Sequence, residues 1–146
     1  MILKPLVLLV DDEAPFIETM SKRLRKRDLT VLTALSGQKA IESLEVNRNM
    51  DVVILDVKMP GMDGIETLGE IKKMCPLTEV IMLTGHATVE TSIEGMRLGA
   101  FDYLMKPCEM ENLMTKVMEA TEKKRAHEEK IRDAQVKEAM TRHGLE

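Results

Sequence analysis

Short apolar runs alternate along the chain with longer segments in which apolar residues recur every three or four positions. Three of the runs, at residues 6–10, 52–55 and 80–83, are almost continuously apolar, as is typical of strands covered on both faces of a parallel sheet. Two weaker runs, at residues 30–34 and 101–105, indicate strands that lie nearer the sheet edges. The pattern therefore predicts an α/β fold with five strands.

A helical periodicity occupies the segments between the strands. Its positions include Phe16, Met20 and Leu24 in the first helix, Ile65, Gly69 and Lys73 with Leu68 and Ile71 in the third, and Val89, Ile93, Met96 and Leu98 in the fourth. Gly99 stands where a glycine commonly ends a helix. Strand and helix alternate five times, which predicts a doubly wound, five-stranded parallel sheet with helices on both faces and right-handed crossovers.

The fifth helix is predicted to begin near Glu109 and to continue well past the sheet. From residue 121 to 142 charges of both signs alternate, no Gly or Pro interrupts, and the sparse apolar residues fit no sustained heptad. We expect one domain over residues 1–122 and a charged helical extension or linker over residues 123–146. A coiled-coil dimer through this extension stays open.

The composition narrows the classes of function. Apolar residues make up 44% of the chain, with 13 Met and few aromatic residues, so the core is aliphatic; a Met-rich partner-binding surface is an alternative to plain packing. A net charge of −4 argues against nucleic-acid binding, and the absence of a glycine-rich phosphate loop argues against nucleotide binding. Cys75 and Cys108 lack metal-ligand spacing.

The apolar run at residues 2–10 is too short for a membrane span and lacks a signal peptide's cleavage region, so we expect a cytoplasmic protein.

Polar side chains that suit phosphate chemistry follow four of the predicted strands. Asp11 and Asp12 come after the first strand, Asp56 after the third, Thr84 after the fourth and Lys106 after the fifth. Because a doubly wound sheet brings these strand ends to one rim, we expect the residues to meet there. Carboxylates without His or Cys favour Mg²⁺, with Mn²⁺ as the alternative. The set as a whole favours phosphoryl transfer with a carboxylate as acceptor.

Taken together, these motifs resemble the receiver domains of bacterial two-component response regulators. The likeness covers roughly residues 4–122 and rests on the acidic pair in LLVDDE, the DVKMPGMDG segment, the Thr84-Gly85 pair and the Lys106-Pro107 pair. Each motif is weak alone, but all four occur in order and each follows a strand. The resemblance implies a flavodoxin-like sheet with the strand order 2-1-3-4-5.

The resemblance implies a metal-binding and acceptor role for four of the matching residues. Asp56 would accept the phosphoryl group and also bind the metal ion. Asp12 would bind Mg²⁺ directly, and Asp11 would act mainly through water. The backbone carbonyl of Lys58 would be the third protein contact to the metal.

The resemblance also implies how the site signals. Thr84 would be the switch hydroxyl that moves towards the phosphoryl group, and Lys106, joined to Pro107 by a cis peptide bond, would pair with a phosphoryl oxygen. Tyr103 would turn inwards when Thr84 moves and so remodel the face made by the fourth helix, the fifth strand and the fifth helix. Simple packing of Tyr103 at the sheet edge is the alternative.

Several side chains near the site have a plainer interpretation as well. Lys58 and His86 lie two residues after Asp56 and Thr84, and we predict that they modulate the lifetime of the phosphoryl group; ordinary solvated loop side chains are the alternative. Asp63 is expected to cap the third helix. Asp11 suits a cap of the first helix in addition to its metal role.

The function implied is a switch that takes a phosphoryl group from a histidine kinase or a phosphotransfer protein. The alternative is a phosphohydrolase with an aspartyl-phosphate intermediate. The GHATVETSIEGMRLGAFDYLMKP stretch is most similar to receivers of enhancer-binding transcription activators, so the chain is either a stand-alone receiver or a receiver excised with its linker. We expect output through a downstream protein effector or a homodimer on the remodelled face, with no direct nucleic-acid or membrane contact.

Overall fold

Strands and helices alternate along the chain as predicted. The computed structural model describes residues 4–144. Residues 1–3 of the predicted domain and residues 145–146 of the predicted extension lie outside the described residues. The strands are β1 (Leu6–Val10), β2 (Thr30–Ala34), β3 (Val52–Leu55), β4 (Glu79–Thr84) and β5 (Asp102–Met105). The helices are α1 (Ala14–Arg25), α2 (Gly37–Val46), α3 (Gly64–Met74), α4 (Val89–Arg97) and α5 (Met110–Arg142).

All five strands pair in parallel in the order β2-β1-β3-β4-β5, which confirms the predicted doubly wound sheet. Successive side chains of a strand point to opposite faces, and the core accordingly divides into two clusters. Leu8, Val53 and Met82 pack with α2 and α3 on one face, whereas Val7, Ile54 and Ile81 pack with α1 and α5 on the other. The strand order reverses between β1 and β3, which is where ligands bind in sheets of this kind.

Two helices bury only part of the face that their spacing suggests. In α3 the buried side chains include Leu68 and Ile71, while Lys73 is exposed. In α4 the apolar residues mark a helix correctly but point into solvent, with Val89 71% exposed and Ile93 63% exposed. Within α4 the buried residue is Gly95, which lies against Tyr103 on β5.

The last helix packs on the sheet through its first turns and then leaves it. Leu113, Val117 and Ala120 are fully buried, whereas nearly all residues after 125 are exposed. None of the helices within residues 4–144 is long and apolar enough to cross a membrane.

Three consecutive basic residues fasten α5 to the sheet at the point where it leaves, and we call this group the α5 clamp: Lys123, Lys124 and Arg125 with Asp51 and Glu79. Lys124 is only 4% exposed and lies 3.3 Å from the Asp51 carboxylate, to which Arg125 donates two hydrogen bonds of 2.9 and 3.2 Å. Lys123 lies 2.9 Å from the buried Glu79 carboxylate. The sequence predicts a solvated helix from residue 123 on, but the buried Lys124 shows that the contact with the sheet extends further.

Candidate functional site

The predicted polar residues lie at the rim formed by the carboxyl ends of the strands. Asp11 directly follows β1, Asp56 directly follows β3, Thr84 is the last residue of β4 and Lys106 directly follows β5. Backbone hydrogen bonds continue past the strand ends, since the Asp56 N–H donates to Val10 at 3.0 Å and the Lys106 N–H donates to Thr84 at 2.9 Å. The positions of these side chains are therefore set by the sheet itself.

Three carboxylates meet at this rim. Asp11, Asp12 and Asp56 each offer one oxygen, and these oxygens lie within 4.8 Å of one another. Asp11 and Asp56 are only 1% and 2% exposed, while Asp12 is exposed. Carboxylates this close repel one another unless a cation compensates, and an all-oxygen donor set suits a hard divalent ion such as Mg²⁺. The residues present thus fit a metal of that class.

The Asp56 carboxylate is held in a defined orientation. Its Oδ1 accepts a 2.8 Å hydrogen bond from the backbone N–H of Val57. Burial raises the pKa of Asp56 above its ordinary value and the charge of Asp11 adds to this, although the Thr84 hydroxyl and Lys106 act in the opposite direction. The ionised form of the Asp56 carboxyl is therefore destabilised here, and a bound cation would stabilise it.

Lys106 supplies one positive charge beside the cluster. Its Nζ lies 2.6 Å from the Asp11 carboxylate and 3.5 Å from Glu13. Burial lowers the pKa of Lys106, but the hydrogen bond and charge of Asp11 outweigh this, with help from Asp56 and Glu13, and leave the pKa above its usual range. Lys106 therefore stays protonated, and in this structure it partners Asp11.

Thr84 is fully buried, and its hydroxyl oxygen accepts a 3.0 Å hydrogen bond from the backbone N–H of His86. The loop between β4 and α4 is thereby linked to the Thr84 side chain.

The sequence matches the response regulator receiver domain over residues 7–118. The chain belongs to this family. It is 39% identical over 114 residues to the transcriptional regulatory protein ZraR of Escherichia coli O157:H7. The matched stretch covers 78% of this chain and 26% of that protein. It is 33% identical over 115 residues to the DNA-binding transcriptional regulator NtrC of Escherichia coli strain K12, covering 79% of this chain and 24% of that protein. This chain thus spans about a quarter of the length of these regulators.

Solved structures agree with the family assignment. A response regulator receiver domain protein from Clostridium thermocellum superposes with a TM-score of 0.80 and 36% identity, covering 84% of this chain and 98% of that one. The relatives above are transcriptional regulators, in agreement with the predicted likeness to receivers of enhancer-binding transcription activators.

In this receiver the predicted switch tyrosine is engaged with α4. The Tyr103 hydroxyl lies 2.7 Å from the Thr91 hydroxyl, and Thr91 also forms a reciprocal capping box with Thr88 at the start of α4. Thr91 could not be identified from the sequence, because its pairing with Tyr103 depends on how α4 lies across β5. Lys58 and His86 are both exposed at the rim, and their modulating roles stay predictions.

Local predictions around the site have mixed outcomes. The Lys106-Pro107 peptide bond is cis, and Asp63 caps α3 by accepting a hydrogen bond from the Glu66 N–H, both as expected. The idea that Asp11 caps α1 is wrong, because the cap position belongs to Glu13. The Asp11 carboxylate instead accepts the Glu13 N–H at 2.9 Å, which fixes the turn that carries the acidic pair.

Proposed function

We propose that this receiver is a phosphorylation-dependent signalling switch in which Asp56 accepts a phosphoryl group from a histidine kinase or a phosphotransfer protein. The observation that carries the proposal is the buried Asp56 carboxylate, grouped with Asp11 and Asp12 within 4.8 Å, with the Lys106 ammonium 2.6 Å from Asp11. An Asp56 oxygen forms a bond to phosphorus while the phosphorus–nitrogen bond of the donor phosphohistidine breaks, and the departing imidazole keeps the electron pair.

The residues at the rim have distinct parts in this step. Asp12, Asp56 and the Lys58 carbonyl would hold Mg²⁺ or Mn²⁺ directly, with Asp11 acting through water. When bound, the ion neutralises the charge that carboxylates and phosphoryl oxygens bring together. Lys106 pairs with one phosphoryl oxygen, and the Thr84 hydroxyl donates a hydrogen bond to another. Both side chains act on charge that develops at the acceptor, which is how phosphoryl transfer is mainly catalysed.

The output follows from the contacts of Thr84 and Tyr103. When the Thr84 hydroxyl moves towards the phosphoryl group on Asp56, it pulls the loop between β4 and α4 with it, because the His86 N–H donates a hydrogen bond to that hydroxyl. An inward turn of Tyr103 breaks its hydrogen bond to Thr91 at the start of α4. The face formed by α4, β5 and α5 changes as a result. This face exposes Ile93, Met96 and Met105, which suits a downstream protein effector or a second copy of the chain.

The same proposal places the receiver in the cytoplasm, without direct contact to nucleic acid or membrane. Its chemistry is limited to taking up and losing its own phosphoryl group. Residues 1–122 would form the receiver and residues 123–146 a charged extension or linker, which is helical up to Arg142 and bound to the sheet up to Arg125.

Replacement of Asp56 by Asn is expected to abolish labelling by a small phosphodonor such as acetyl phosphate in the presence of Mg²⁺. Intact-mass spectrometry should show one phosphoryl group on the wild-type chain and none on Asp56→Asn. The control is Asp63→Asn, which removes a neighbouring carboxylate that caps α3 but leaves the site intact. Equal labelling of wild type and Asp56→Asn would overturn the proposal, and repeated release of phosphate with many turnovers per chain would favour a phosphohydrolase.

Replacement of Lys58 or His86 by Ala is expected to change the rate at which the phosphorylated chain loses its label, because both side chains are exposed beside the path to Asp56. Labelling itself should still occur. The decay is followed by intact mass after the phosphodonor has been removed. Decay at the wild-type rate in both variants would assign these residues to ordinary solvated positions in the loops.

A further inference from the structure

The Lys106 ammonium lies 3.8 Å from the centroid of the Phe16 ring. We propose that Phe16 is a positioning residue for Lys106: its ring face holds the ammonium through a cation–π interaction and fixes the direction from which Lys106 reaches the phosphoryl group on Asp56. This inference rests on the proposed function of Asp56 and Lys106.

The two partners come from different parts of the fold, and each is held independently. Phe16 lies in the first turn of α1 and packs half-buried against the core cluster that contains Val7, Leu9 and Leu83. Lys106 follows β5 and is tied to β4 by the hydrogen bond of its backbone N–H to Thr84. A lysine side chain has a flexible four-carbon stem, so its ammonium needs a fixed neighbour if it is to point in one direction. The ring of Phe16 is such a neighbour.

The ring differs in kind from the other two partners of Lys106. Asp11 and Glu13 hold the ammonium by negative charge, at 2.6 and 3.5 Å, and they compete directly with an incoming phosphoryl oxygen. The face of an aromatic ring attracts a cation through its quadrupole and carries no net charge. The ring therefore keeps its hold when the ammonium exchanges Asp11 for a phosphoryl oxygen, and it does not repel that oxygen.

Burial makes the contact more effective. The Lys106 side chain is only 17% exposed, and a cation–π interaction gains strength as the cation loses water. We expect loss of the ring face to slow phosphorylation about two- to fivefold, the lower range for such a contact, because only the part of its strength that orients Lys106 for the phosphoryl group affects the rate.

Two kinds of change at position 16 test this inference: Phe16→Leu and a series of fluorinated phenylalanines. Leu keeps the apolar contact with the core and removes the ring face, while fluorinated phenylalanines at position 16 weaken the ring face stepwise with little change of shape. The readouts are the rate of labelling by acetyl phosphate with Mg²⁺ and the chemical shifts of the Lys106 side chain, which a ring at this distance displaces. Met20→Leu is the matched control, because Met20 lies one turn further along α1 and packs in the same core cluster.

The inference is supported if the labelling rate falls about two- to fivefold in Phe16→Leu, falls stepwise along the fluorinated series and stays unchanged in Met20→Leu. The stepwise fall identifies the ring face, since a purely structural role of Phe16 would leave the fluorinated variants like wild type. If Phe16→Leu fails to fold, the fluorinated series decides alone. Wild-type rates along that series, in a chain that Asp56→Asn still renders unlabelled, would overturn the role of Phe16. A wild-type chain that takes no label would instead count against the proposed function, whatever the Lys106 chemical shifts show.

Discussion

Asp51→Asn is expected to lower the free energy of unfolding by about 3–5 kcal/mol, the usual result of removing one partner from a buried ion pair. The Asp51 carboxylate is 3% exposed and binds Lys124, the two nitrogens of Arg125 and the backbone N–H of Leu6. Without its charge the buried Lys124 ammonium keeps only the half-buried Glu128 carboxylate, at 3.0 Å, as an ionic partner among the described residues. Urea unfolding of the two proteins followed by circular dichroism measures the difference.

The control for this variant is Glu138→Gln on the same helix. Glu138 pairs with Arg142 at 3.4 Å, but both side chains are exposed, and such pairs contribute about 0.5 kcal/mol or less. A loss of similar size in the two variants would show that burial of the α5 clamp does not stabilise the fold.

The stability that Asp51 contributes should also depend on pH in a definite direction. Burial raises the pKa of Asp51, but the hydrogen bonds from Arg125 and Leu6 and the charge of Lys124 outweigh this and leave the pKa below its usual range. A carboxyl group with a lowered pKa stabilises the folded state above the pKa of the unfolded chain, about 3.9, and loses that effect as the pH falls through the folded value. The difference between wild type and Asp51→Asn should therefore be full near neutral pH and shrink below about pH 4.

Gly64→Ala is expected to destabilise the receiver by about 3 kcal/mol and to slow its phosphorylation, because an added methyl group has no room at that position. A Cβ atom on Gly64 would meet the carbonyl oxygen of Asp56 and lie 2.6 Å from the Cα of Val57. The Gly64 N–H also donates a 2.7 Å hydrogen bond to Val57, so α3 cannot shift away without loosening the loop that carries the acceptor. Thermal unfolding and the rate of labelling by acetyl phosphate measure the two effects.

Gly69→Ala provides a control of opposite sign within the same helix. Gly69 has open space where a Cβ would lie, and Ala is the better helix former, so this variant should be about 0.5–1 kcal/mol more stable than wild type with unchanged labelling. Destabilisation by Gly69→Ala would indicate that α3 tolerates no added methyl group, and the steric argument for Gly64 would then lose its specificity.

Much of the fold follows from the sequence because strands that are buried on both faces are almost continuously apolar. The runs at Leu6–Val10 and Val52–Leu55 are of this kind, and the acidic, hydroxyl and ammonium groups directly after the strands locate the rim without any knowledge of tertiary structure. The side of a helix that is buried is harder to predict. Periodicity marks α4 as a helix, yet Ile93 faces solvent, because burial depends on the neighbour that a face meets.

Contacts between distant residues account for what the sequence does not predict. Phe16 and Lys106 are separated by most of the domain, and nothing in either local motif indicates that they touch. Asp51 and Glu79 lie at the opposite ends of their strands from the acceptor site and have no motif of their own. Their burial becomes intelligible only when the basic residues of α5 are seen to lie against them.

The α5 clamp also determines what the exposed part of the last helix can do mechanically. From Arg125 to Arg142 the helix continues for about 26 Å at the usual rise per residue, held at one end by the clamp. A tilt of the helix by about 10° at the clamp would displace its far end by about 4.5 Å, most of the pitch of one helical turn. A small change in the face formed by α4, β5 and α5 would thus become a displacement large enough to move a neighbouring group at Arg142. The ion pairs of the α5 clamp would determine how strongly the helix resists this tilt.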